Sequence, residues 1–131
     1  MKSPHWLSQL ALVLALFGSA GCAMFLVGAG AGAGAVAYAK GKLDTTEPAS
    51  LERVWNASLE TAHELKYVIT ETNKRATAAL LVARSPRDEK LEISMKSAPD
   101  NTTELIIRAG AIGNEEQSRL VLDRIRSHLK N

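Results

Sequence analysis

The chain has 131 residues, with 16 lysines and arginines against 14 acidic residues, a formal charge of +2 and one cysteine. So even a balance gives no strong pull toward nucleic acid, and the basic residues are spread among acidic ones rather than massed in one stripe. One thiol makes neither an intramolecular disulfide nor a metal site, so the folded part must stand on its apolar core, and its length allows one core rather than two.

Residues 1–21 read as a leader. Lys2 and the amino terminus supply a thin positive start, and Leu7 to Phe17 supplies the apolar centre. His5 and Trp6 belong to this segment and are discounted as site residues. The stretch Leu16-Phe17-Gly18-Ser19-Ala20-Gly21-Cys22 resembles a bacterial lipoprotein signal, in which the cysteine is lipidated and becomes the first residue after cleavage. Gly21 and Ala20 suit the positions before such a cysteine, while Ser19 stands where leucine is usual. Two other outcomes stay open: a secretory cut after Ala20, and no cut at all, since Leu7 to Val27 is uncharged and long enough to span a bilayer. With lipidation, the membrane partner is engaged through Cys22. Ala23 follows where an inner-membrane retention signal places aspartate, so the lipoprotein resemblance implies the outer membrane, facing the periplasm, with the inner membrane as the alternative.

Residues 22–37 form a Gly/Ala-rich stretch in which Gly28, Gly30, Gly32 and Gly34 alternate with alanines. Glycine costs the most backbone entropy to order, so this reads as a membrane-proximal tether, with close packing of small faces in the membrane as the other reading. All four glycines sit at even positions, which excludes a G-x-G-x-x-G phosphate loop.

Residues 38–131 read as a single domain. A first strand runs from Val36 to Glu47 and is stopped by Pro48. Ser50 is positioned to cap a helix, with Glu52 in its first turn, and Leu51, Val54, Trp55, Ser58, Leu59, Ala62 and Leu65 recur at helical spacing. Trp55 is expected in the core. A second strand begins at Tyr67–Thr72 and ends at a solvated Lys74-Arg75 turn; a third spans Ala76–Arg84. Lys90–Lys96 alternates without a break, turning Leu91, Ile93 and Met95 to the core.

The turn Pro99-Asp100-Asn101 joins that strand to Thr102–Ala109. A three-residue hairpin loop calls for two right-handed residues and then a left-handed one, which Pro99 and Asn101 suit. The pairing that results sets Met95 against Leu105, Ile93 against Ile107, Lys96 against Glu104 and Glu92 against Arg108. Apolar meets apolar and charge meets opposite charge, which no one-residue slip achieves. Asn114 caps the last helix, with Gln117 three residues on as in a capping box, and Glu115 and Glu116 suit its first turn. Val121, Leu122, Ile125 and Leu129 make its buried stripe; Arg119, Arg124, Arg126 and Lys130 read as its solvated face.

The elements give an α+β fold in β-α-β-β-β-α order: a two-layer sandwich with a mostly antiparallel sheet and two helices on one face. The place of the first strand in the sheet is left undecided.

The residues also resemble a family of small bacterial lipoproteins of unknown function. The resemblance is carried by Gly21-Cys22-Ala23, the Gly/Ala run, Tyr38-Ala39-Lys40-Gly41-Lys42-Leu43 and Leu51-Glu52-Arg53-Val54-Trp55. Thr103-Glu104-Leu105-Ile106-Ile107-Arg108-Ala109-Gly110, Gly113 and Arg119 add to it. It covers essentially the whole mature chain. It implies the envelope location and the fold, and brings no catalytic residues with it.

A site for chemistry is not legible. His63 sits at the edge of the first helix's stripe and His128 beside the last leucine of the second, both expected as partly exposed helix histidines rather than catalytic or metal groups. No nucleophile signature surrounds any serine. The expectation is therefore a protein that is not an enzyme, with no cofactor, no metal and no nucleic-acid partner. It is a lipid-anchored structural or interaction module with a protein partner in the envelope. A small lipid or ligand carrier is the alternative, though one sheet and two helices leave little room for a cavity of several hundred Å3. The candidate contact surface is the sheet face away from the helices, where alternation places Leu80, Val82 and Ile106 inside a charged rim.

Overall fold

The computed structural model of the protein describes residues 36–130; the segment expected to be a leader, Cys22 and nearly all of the Gly/Ala stretch lie outside the described residues. Six strands form one antiparallel sheet: β1 (Val36–Ala39), β2 (Lys42–Glu47), β3 (Val68–Lys74), β4 (Ala78–Arg84), β5 (Lys90–Ala98) and β6 (Thr102–Ala109). Helices α1 (Leu51–Glu64) and α2 (Glu115–Leu129) cover one face. The α+β class and the two layers stand as read. Between the helices run four strands, where the β-α-β-β-β-α order has three.

The first strand folds back on itself. Lys40 and Gly41 both take positive φ (52° and 77°), so Val36–Glu47 becomes a two-residue hairpin instead of one straight strand. Such a turn needs left-handed backbone at both central residues, which glycine adopts freely and lysine at a cost. The sheet order is β1-β2-β6-β5-β4-β3, so the hairpin from the start of the domain pairs with its last strand.

The β5–β6 register is the expected one, including Ile93 opposite Ile107 and Glu92 opposite Arg108. The loop between them differs in one respect: Asp100 as well as Asn101 is left-handed, at φ 61° and 57°. Both residue types tolerate that region, and the Thr102 hydroxyl closes the loop by donating to the Pro99 carbonyl at 2.7 Å.

Ser50 caps α1 by accepting from Arg53 N at 3.4 Å, and Asn114 caps α2 by accepting from Gln117 N at 3.0 Å. The Gln117 side chain does not complete a capping box; it donates to the Tyr67 hydroxyl, and Asn114 N donates to the Ala109 carbonyl instead. Between the layers lie Leu43, Leu81, Ile93, Leu105 and Ile107 from the sheet and Val54, Trp55, Val121, Leu122 and Ile125 from the helices, all buried. Ser58 and Thr61, also buried on α1, return their hydroxyls to the carbonyls of Val54 and Ala57 at 2.8 Å, so neither leaves a polar atom unmatched.

Two backbones touch where the β1–β2 turn meets the loop before α2. A Cβ on Gly113 would lie 2.3 Å from the Gly41 Cα, and one on Gly41 would lie 2.6 Å from the Ile112 carbonyl oxygen. Gly110, also at positive φ, faces open space. Gly110→Ala should therefore lose about 1–2 kcal/mol, the ordinary cost of a left-handed non-glycine. Gly113→Ala adds a backbone clash and should lose at least about 3 kcal/mol. Urea denaturation of the two variants checks this; equal losses would mean that the close approach does not matter.

Candidate functional site

The registers bring four connections to one end of the sheet. Arg84 pairs with Lys90, Leu91 with Ala109, Leu43 with Ile107 and Val68 with Arg84. The turns at Lys40-Gly41, Leu65–Tyr67, Ser85–Glu89 and Gly110–Asn114 are therefore neighbours. Each is shaped by local bonds. The Ser85 hydroxyl accepts from the amides of Arg87 and Glu89 at 3.2 and 3.1 Å, and Arg84 Nη1 donates to the Asp88 carbonyl at 3.0 Å. Arg108 Nη2 donates to the Ala111 carbonyl at 2.7 Å, which props the loop carrying Ile112. Ile112 is 91% exposed, the most exposed large apolar side chain among the described residues.

An open cleft of about 520 Å3 runs along this end between Arg84 and Lys90 on one side and the Ala109–Asn114 backbone on the other. Lys90 lies 3.4 Å from Glu92, and Arg84 lies 3.9 Å from Asp88. Both pairs are solvated, and such pairs contribute little to stability.

The sheet face away from the helices carries the three residues picked from the sequence. Leu81 is fully buried beneath the helices, so Leu80 and Val82 point to the open side. Ile106, Ser94 and Leu80 form one row across β6, β5 and β4. Leu80 and Ile106 are half-buried; Val82, flanked by Glu71 and Glu92, is only 6% exposed. Leu80 and Ile106 thus present what apolar area this row has, while Val82 lies sunk between two carboxylate side chains. Cys22 falls outside the described residues.

On the helix side, Arg126 is not part of a solvated face. Its Nε and Nη2 donate to the Glu47 carboxylate at 2.8–3.2 Å, and Nη2 also donates to the Thr45 hydroxyl at 3.2 Å. Glu47 is 2% exposed and ends β2. The signal was present in the alternation: Leu43, Thr45 and Glu47 share the inward side, so a buried carboxylate there requires a cation. His128 is half-buried, with Nδ1 3.0 Å from Glu60 and Nε2 2.8 Å from Glu64, while Arg124 reaches Glu64 at 3.1 Å. This cluster clasps the two helices. His63 is exposed. Among the described residues no group of three or more His, Cys, Asp or Glu side chains is disposed to hold a metal ion, and no helix is long and apolar enough to cross a membrane.

A two-layer α+β domain with a filled core, preceded in the sequence by an apolar segment and the chain's one cysteine, is thus the class of protein. The chain belongs to the family described as a protein of unknown function (DUF3568), which matches residues 6–128. No curated protein matches it.

Removing Arg126 strands a buried carboxylate. Arg126→Ala should lower unfolding free energy by about 3 kcal/mol, whereas Arg119→Ala, which breaks the solvated i,i+4 pair with Glu115, should cost under about 1 kcal/mol. The double variant Glu47→Gln/Arg126→Met should recover part of the loss, because it removes both charges together. Chemical denaturation of the three variants reads the difference.

Proposed function

We propose that this is a lipid-anchored module of a bacterial cell envelope that acts by contact rather than catalysis. The carrying observation is Cys22, the only cysteine, directly after Ala20-Gly21 and an apolar run. The family match begins at residue 6 and takes in both the leader and this cysteine together with the folded domain, which supports reading them as one unit. Stable attachment takes more than one acyl chain, as bacterial lipoproteins carry. The location proposed is the outer membrane, facing the periplasm, and an uncleaved anchor in the inner membrane is the competing arrangement. Metabolic labelling with palmitate should mark the wild type and not Cys22→Ser; equal labelling of both, or of neither, rejects lipid attachment at this residue.

The contact surface proposed is the open sheet face around Leu80 and Ile106, with Val82 beneath the rim. A small apolar patch inside a charged margin is the usual anatomy of a protein-contact surface. The layer between sheet and helices is filled by large aliphatic side chains, which favours an outer contact surface over an internal ligand chamber. In living cells, a photo-reactive residue at position 106 or 80 should capture an envelope protein that one at Arg124 does not. Capture no greater than at Arg124 would reject this face, and capture of lipid alone would favour a carrier.

A further inference from the structure

We propose that the end of the sheet carrying Ile112 is a docking surface for an anionic lipid headgroup layer. The proposal rests on the anchoring read above, which puts the domain beside a membrane, and adds which part of the domain meets it. Lys40, Lys42, Lys66 and Arg87 are exposed at this end and, among the described residues, none has a carboxylate within ion-pair distance. They come from three separate connections, so it is the fold, not a run of basic sequence, that gathers them. The remaining charges of the connecting turns and of the strand ends beside them are Arg84 with Asp88 and Lys90 with Glu92, each a pair, together with Arg108 on the Ala111 carbonyl, Asp44 and Glu89. Glu115 and Glu116 begin α2 behind them, and Glu115 is held by Arg119. The excess is positive.

Ile112 gives this end its second property. It stands 91% exposed at a loop tip that is braced from behind by the Gly41–Gly113 contact and by Arg108. Ala111 beside it is exposed as well. Exposed cations around one projecting aliphatic side chain match the layered chemistry of a membrane surface, with phosphates at the charged level and acyl chains just below. Val68, 67% exposed at the start of β3, is a second aliphatic side chain at this end, but it stands on the edge strand, with β4 and β5 between it and β6. A protein partner would more often present one broad apolar area than such separate side chains. The chain length agrees. Thirteen residues separate Cys22 from Val36, a contour of at most roughly 50 Å, and β1 needs only Val36–Ala39 to reach the Lys40-Gly41 turn.

The test uses the full mature chain with its lipid, reconstituted into vesicles of phosphatidylcholine alone or with phosphatidylglycerol added. An environment-sensitive thiol fluorophore is placed at Ile112→Cys or, at the opposite end of the sheet, at Asn101→Cys. Flotation with the vesicles reports anchoring, and the fluorophore reports docking, so the two readings fail separately. Position 112 should become blue-shifted and accessible to a lipid-phase quencher in phosphatidylglycerol vesicles only, and the effect should fade at high salt; position 101 should stay in water throughout. Each of Lys40→Asn, Lys42→Gln and Arg87→Gln should lower the docked-to-free ratio by roughly fivefold. Floated protein with position 112 in water in both vesicle types overturns the proposal, as does equal burial of positions 112 and 101. A chain that anionic vesicles do not retain overturns the anchoring and the docking together.

Discussion

The pairing of Glu47 with Arg126 is the constraint from which the arrangement of the last helix follows. A carboxylate 2% exposed cannot be left without a cation, so the C-terminal turns of α2 must lie over the end of β2. The other end of the same helix is fixed by a different force, the contact of the Gly41 and Gly113 backbones. The two fixed points are commensurate. Six residues of strand from Gly41 to Glu47 cover roughly 20 Å, and thirteen residues from Gly113 to Arg126, most of them helical, cover roughly 20 Å as well. Strand and helix are thus matched in length between a steric contact and an ion pair, and the aliphatic side chains of Leu43, Val121, Leu122 and Ile125 fill the space between them.

What was legible in the sequence is what short-range physics writes there. The β5–β6 register follows from alternation and from charges that match in only one alignment, and the structure has that register throughout. The caps at Ser50 and Asn114 were legible for the same reason, since a cap and the amide that donates to it lie three residues apart. The place of the first strand was not. Its partner β6 begins more than fifty residues later, and nothing local in Lys42–Glu47 names it. The break at Lys40-Gly41 is marked by a change of parity: Val36 and Tyr38, at even positions, and Leu43 and Thr45, at odd ones, all face the helices, which one straight strand cannot do. With only two apolar positions before the turn, that change is faint, and a glycine following a lysine is the other mark of it.

Arg126 shows how a helix-period argument goes astray with long side chains. It lies four residues after Leu122 and three before Leu129, at the margin of the buried stripe, where an arginine stem can lie along apolar surface while its head reaches a partner. Read alone, the last helix gives a basic face. Read with the inward alternation of Leu43, Thr45 and Glu47, it gives a buried acid in need of a base. Neither element contains the answer; the pair does. The exposed cations make the same point at larger scale. Along the chain they are interspersed with acids, and only the folding of separate turns to one end gathers Lys40, Lys42, Lys66 and Arg87, where Asp88 is taken up by Arg84.

The remaining surface is shaped by what an open antiparallel sheet must avoid. Among the described residues its two edges, β1 and β3, have no further strand beside them, and such edges invite pairing with other chains. β1 limits the first edge by being only four residues long. β3 limits the second with a register shift between Ile69 and Glu71 and with Glu71 and Lys74 along its length. Lys74 is further drawn toward Glu52 at the start of α1, which ties the end of the edge strand back to the helix layer. With both edges blunted, the broad face away from the helices is the part of the sheet that the described elements leave uncovered. There the row Ile106–Ser94–Leu80 sets a small polar residue between two half-buried aliphatic ones, bordered by Asp44 and Asn73. Asp44, Ser94 and Asn73 thus set a polar residue on either side of each aliphatic one, the mixed composition that lets an antiparallel sheet leave one face to water.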